Sequence, residues 1–156
     1  MAKRTSGDVA MQRQRLAAGL IGYGASFTEL GRRFAETLGV HSTDAFALME
    51  IAAAEEAGTP LSPALLSKRI TLTSGAMTTL INRLEQAGYV TRSREHTDRR
   101  VVTLRCSEDA RRLANEFFHT VNAEQDAILA GYSTDQLEQF ETLIARLRAT
   151  MDGSST

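Results

Sequence analysis

The sequence predicts a mainly α chain with one small β-hairpin wing. Three observations carry this. Apolar residues recur at spacings of three and four along most of the chain. Ser62-Pro63 and Thr73 mark two helix starts close together. Only residues 89–105 alternate as strands do, around a polar turn with nothing to bury.

Each element follows from its residues. In the first helix Leu16, Leu20, Tyr23, Phe27, Leu30, Phe34 and Leu38 form a heptad-like stripe. Gly19, Gly22, Gly24 and Gly31 lie within it, each costing roughly 1 kcal/mol against alanine, which suggests close packing or a bend. Ser42-Thr43-Asp44 is read as the cap of a second helix carrying Phe46, Met49, Ile51 and Ala53 and ending before Gly58. Ser62 caps a short third helix, Pro63–Arg69, expected to bury Leu65, Leu66 and Ile70. After the turn at residues 70–73, with Thr73 as cap, Ser74–Ala87 places Met77, Leu80, Ile81 and Leu84 on one apolar face. Gly88 ends that helix.

Strands Tyr89–Arg94 and Arg100–Arg105 follow. Val102, Leu104 and Cys106 are expected on one face, and Val101, Thr103 and Arg105 on the other. Ser107 starts the fifth helix, whose apolar side is Leu113, Phe117, Val121 and Ile128. Ser133-Thr134-Asp135-Gln136 is a capping box for the sixth, with Leu137, Phe140, Ile144 and Leu147. Helix, turn, helix and hairpin in this order make a winged helix-turn-helix. The expected layout is a tail at 1–7, N-terminal helices at 8–60 and the winged module at 61–106. Helices at 107–151 and a tail at 152–156 complete it.

The outward face of the fourth helix carries Gly75, Thr78, Thr79, Asn82 and Gln86, flanked by Ala76 and Arg83. Short hydroxyls, an amide and an arginine are side chains that pair with base edges in a major groove. A solvated helix face is the competing explanation, and the hairpin decides against it. Its arginines at 92, 94, 99, 100 and 105 suit phosphates and the negative potential of a minor groove. Charge agrees. Residues 62–105 hold eight basic side chains against three acidic, net +5, whereas the rest of the chain holds ten against sixteen, net −6.

The run resembles the DNA-binding core of the MarR family of bacterial transcriptional regulators. It does so through Leu61-Ser62-Pro63-Ala64-Leu65-Leu66, Thr73-Ser74-Gly75-Ala76-Met77-Thr78 and Asn82-Arg83-Leu84-Glu85-Gln86-Ala87-Gly88-Tyr89-Val90. Arg92 and the wing pattern Asp98-Arg99-Arg100 continue the match. The resemblance covers the module closely and the flanking helices by layout. It implies a homodimer on a pseudo-palindromic operator in double-stranded DNA, with recognition helices in major grooves and wings in minor grooves. Carried over residue by residue, Ser74, Gly75, Ala76, Thr78, Thr79, Asn82 and Arg83 would contact DNA from the helix. Arg92, Arg94, His96, Arg99 and Arg100 would do so from the wing and its flanks, with Asp98 bracing it. Cys106-Ser107 and Ala110 depart from the family's usual Leu-Thr and glycine.

A repressor released by a small aromatic effector is the function the resemblance implies; Tyr23, Phe27, Phe46 and Met49 are side chains able to line an effector crevice. The alternative is a thiol redox sensor using Cys106, which would need an exposed, acidified thiol. The inward position of Cys106 argues instead for a buried thiol. An enzyme is not expected: His41, His96 and His119 lack metal-ligand spacing, and no hydrolase, zinc-peptidase or phosphate-loop motif is present. No cofactor and no metal are expected. Gly19-x-x-Gly22-x-Gly24 follows no strand and reverses the dinucleotide fingerprint. No stretch reaches the ~20 apolar residues of a membrane span, residues 1–7 have no apolar run of a secretory signal, and a lone cysteine makes no disulfide framework. A soluble cytoplasmic protein is expected. The terminal apolar stripes exceed what one small module covers, so the first and last helices are expected to pair between two copies.

Overall fold

In the computed structural model, which describes residues 6–94 and 101–151, the elements run α1 (Ser6–Leu38), α2 (Ser42–Glu56), α3 (Pro63–Ile70), α4 (Ser74–Gln86), β1 (Val90–Ser93), β2 (Thr103–Cys106), α5 (Glu108–Leu129) and α6 (Thr134–Met151). The chain divides into two compact units, Met1–Ala114 and Asn115–Thr156.

In the first unit α2 is the central element, packed against α1, α3, α4 and β2. Its small buried residues Ala45, Ala47 and Ala54 allow that close approach on several sides, and Leu48 and Ile51 fill the space between. Phe34, Leu66, Leu80, Ile81, Leu84 and Leu104 complete the fully buried set. Each such side chain contributes roughly 1.5–3 kcal/mol of hydrophobic stabilisation.

Several helix starts are made as the sequence predicts. The Leu65 amide donates to Ser62 Oγ at 3.2 Å and the Ala76 amide to Thr73 Oγ1 at 3.3 Å. The Ala110 amide donates to Ser107 Oγ at 3.1 Å. In the second unit the Ser133–Gln136 box closes both ways, at 3.0 and 3.3 Å. There the rings of Tyr132 and Phe140 meet edge to face at 5.4 Å. Gly88 adopts φ +77° directly after α4, and the Tyr89 amide reaches back to Leu84 O at 2.9 Å. A β-branched or bulky residue would be strained at that φ.

Other expectations are corrected. α2 takes His41 as its N-cap, without a side-chain bond, and Asp44 is buried in an ion pair instead of capping. Leu65 is exposed and Ile70 only half-buried, because a helix of two turns places little more than Leu66 between its neighbours α2 and α4. Ser6 and Gly7 are helical, not part of a tail. Of the glycines in α1, only Gly31 is closely packed: a Cβ there would stand 2.7 Å from Phe46 Cζ. Gly19, Gly22 and Gly24 have nothing within 4 Å of that position, and the helix runs through them unbroken.

The hairpin is antiparallel, with Val90 opposite Cys106 and Ser93 opposite Thr103. Its second strand does not alternate between core and solvent: Thr103, Leu104 and Cys106 are all buried. The reason is a covered outer edge. The Leu104 amide donates to Leu61 O at 2.8 Å and the Cys106 amide to Glu55 Oε2 at 2.8 Å. Strand groups that would otherwise face water are thereby satisfied.

Candidate nucleic-acid interface

α4 stands on its buried stripe of Met77, Leu80, Ile81 and Leu84, and this turns the opposite face outward. Ser74, Gly75, Ala76, Thr78, Thr79 and Asn82 are all exposed there. The helix-turn-helix angle is set by a tight turn. Thr71 adopts a left-handed conformation (φ 49°), and Ser67 Oγ donates to Leu72 O at 2.6 Å.

The hydroxyls of the outward face are not equivalent to free ones. Thr78 Oγ1 donates to Ser74 O at 2.9 Å and Thr79 Oγ1 to Gly75 O at 3.1 Å. Both therefore present lone pairs and a methyl group outward, not a polar hydrogen. Asn82 is held differently: Arg92, from β1, donates through Nη2 to Asn82 Oδ1 at 3.0 Å, and the same nitrogen lies 3.4 Å from Glu85 Oε2.

Arg83 does not extend outward as a reader of bases would. Its Nε donates to Asp44 Oδ2 at 2.9 Å and its Nη2 to Asp44 Oδ1 at 2.6 Å, a two-pronged pair with a carboxylate that is 1 % exposed. The hydrogen bond with Asp44 pushes the guanidinium further above its ordinary value. Arg105 is likewise taken up, 3.4 Å from Glu55 Oε1. Arg69 pairs with Glu50 at 3.1 Å. Three of the eight basic residues counted in the module thus face acids from α2, outside it, so the net charge of +5 overstates the field around the helix-turn-helix. No neighbour along the chain signals these pairs, which span 19 to 50 residues. Arg92 and Arg94 are exposed on the hairpin. His96, Asp98, Arg99 and Arg100 lie outside the described residues.

Cys106 is buried, with Sγ 3.6 Å from Leu48 O. Burial, and secondarily the Glu55 carboxylate, push its thiol from 9.0 up to about 12. The thiol-sensor alternative is thus not supported. A thiolate fraction roughly a thousandth of that of an ordinary thiol remains near neutral pH. Labelling of Cys106 with a maleimide at pH 7 is expected to be at least a hundredfold slower in the native protein than in urea. Because the folded value is raised, the unfolded thiol ionises first as pH climbs from about 9 to about 12. Stability then falls by roughly 1.4 kcal/mol per pH unit, with no contribution below about 9. Cys106→Ala should lack this component when unfolding curves of the two proteins are compared at pH 8 and 10.

Among the described residues, no helix is long and apolar enough to cross a membrane.

Comparison with known proteins finds similar chains and folds. The MarR family matches residues 45–102. The uncharacterized HTH-type transcriptional regulator YwhA of Bacillus subtilis is 34% identical over 80 residues, which cover 51% of this chain and 58% of that protein. The match thus spans little more than half the length of that relative. NadR in complex with 4-hydroxyphenylacetate superposes with a TM-score of 0.60 at 22% identity, covering 94% of this chain and 95% of NadR. The S. aureus MepR–DNA complex gives 0.54 at 13% identity, with 83% and 94% covered. At these identities the two structures speak for the fold. Residues 45–102 are thus similar to the MarR family, and the chain around them has a winged helix-turn-helix fold.

Proposed function

We propose that the chain is a sequence-specific regulator of transcription that binds double-stranded DNA. The observation that carries this is the outward face of α4, where Ser74, Gly75, Thr78, Thr79 and Asn82 are exposed while the opposite face is locked into the core. A rigidly anchored helix with short polar side chains outward suits a major groove. The MepR–DNA complex, similar in fold, supports the same use.

The fuller reading is a cytoplasmic repressor, not an enzyme, that binds a pseudo-palindromic operator as a homodimer. Exposed Leu16, Leu20, Tyr23 and Phe27 on α1 favour an interface between copies. So, within the second unit, do exposed Phe140, Leu143, Ile144 and Leu147 on α6. Two half-sites also give a dimer the specificity that one recognition helix lacks. A small aromatic acid is the proposed effector, in line with the 4-hydroxyphenylacetate bound by NadR.

The test is selection from a random duplex library, followed by titration of the selected and a scrambled duplex. Asn82→Ala is expected to weaken binding to the selected duplex by about 1–3 kcal/mol, while binding to the scrambled one barely changes. Equal losses on both duplexes would remove Asn82 from base reading. A wild-type protein that enriches no sequence would refute the function.

A further inference from the structure

We propose that Arg92 sets the base preference of α4 by holding Asn82 as a hydrogen-bond donor, directing it to the N7 and O6 acceptors of a guanine. This rests on the DNA-binding reading above. A guanidinium has no acceptor, so the Asn82 atom that faces Arg92 must be the carbonyl oxygen, and the 3.0 Å contact is to Oδ1. The amide nitrogen is thereby left to point elsewhere. An unrestrained asparagine pairs with adenine by using both ends of its amide, accepting from N6 and donating to N7. Once Arg92 occupies one of the two lone pairs of Oδ1, the acceptor half of that pattern is weakened and crowded by the guanidinium. The two amide hydrogens still match the acceptor-only edge of guanine.

The neighbouring side chains reinforce the assignment. Thr78 and Thr79 commit their hydroxyl hydrogens to Ser74 O and Gly75 O, and Arg83 turns its fork to Asp44. In residues 78–83 the Asn82 amide therefore carries the donor role. Glu85, one turn on, steadies Arg92 from the same helix at 3.4 Å. Both partners remain accessible, with side chains 40 % exposed at Arg92 and 31 % at Glu85, so the arrangement lies at the surface and not in the core. Arg92 is a positioning residue, acting through Asn82.

The experiment uses the full chain and measures a ratio, so that a general loss of affinity cancels. Wild type, Arg92→Met, Arg92→Lys, Asn82→Ala and the double variant Asn82→Ala/Arg92→Met are titrated against four duplexes. These carry each base in turn at the position whose preference Asn82→Ala abolishes. Wild type is expected to favour guanine over adenine there by about tenfold or more. Arg92→Met should cut that ratio about tenfold while leaving preferences elsewhere in the site intact. The double variant should show the same ratio as Asn82→Ala. Lysine, a point charge without the guanidinium fork, keeps the test alive if Arg92→Met does not fold. An Asn82-dependent position that is adenine overturns the proposal. So does an Arg92 variant that weakens every duplex alike with the ratio unchanged. A wild-type protein without any base preference is a different failure, that of the DNA-binding reading itself.

Discussion

Arg83→Ala is expected to lower the free energy of unfolding by about 3 kcal/mol, while leaving base preference in the folded protein unchanged. The reason is asymmetry between the partners. Asp44 is 1 % exposed and the Arg83 side chain 42 %. Removing the arginine strands a carboxylate in the core of the first unit, and an uncompensated buried charge costs about 3–5 kcal/mol. The partial exposure of the pair places the expectation at the low end of that range. Asp44→Ala should cost less, about 1–2 kcal/mol, because the guanidinium left behind can turn to water. Urea unfolding of both variants measures the difference. Equal losses, or a larger loss for Asp44→Ala, would contradict the asymmetry. A changed base preference in Arg83→Ala would return this residue to the DNA-reading set.

Glu55→Ala should be comparably damaging, at about 3 kcal/mol. One carboxylate, 8 % exposed, meets Arg105 at 3.4 Å, Arg111 at 2.9 Å and the Cys106 amide at 2.8 Å. Its removal leaves the Cys106 N–H, at the covered edge of β2, without its acceptor, and takes the counter-charge from two arginines. Glu55→Gln retains an oxygen for that amide but no charge, so an intermediate loss is expected. A second readout separates this from general loosening. The Glu55 charge helps hold the Cys106 thiol high, so in Glu55→Gln the alkaline fall in stability should still begin near pH 9, where the unfolded thiol ionises, but end at lower pH and be smaller in total. An unmoved alkaline limb, or an unfolding midpoint equal to wild type, would contradict the role given to Glu55.

Much of the local structure was legible because capping is local chemistry. Ser62, Thr73, Ser107 and the Ser133–Gln136 pair each find their partners within three residues, which is the range a sequence pattern can see. The buried stripe of α4 was legible for the same reason: its period is that of the helix itself. What stayed hidden depends on partners remote in sequence. Arg83 and Arg105 look like arginines for phosphate until Asp44 and Glu55, 39 and 50 residues away, are brought beside them by the packing of α2. Thr103 has the position of an outward strand residue, yet is buried in a strand whose far edge is closed by Leu61. The coupling of Arg92 to Asn82 was likewise invisible, although both were assigned to DNA. Their contact requires the strand to return across the end of α4.

Tyr89, immediately before β1, donates its phenolic hydrogen to Leu38 O in the last turn of α1, at 3.0 Å. One end of the longest helix is thereby tethered to the root of the hairpin across 51 residues of chain. Any swing of that last turn must either break the tether or drag the hairpin's base with it. A push delivered far up the helix would then reach the hairpin's root as leverage through this tether, beside the path through α2, on which α1 also packs.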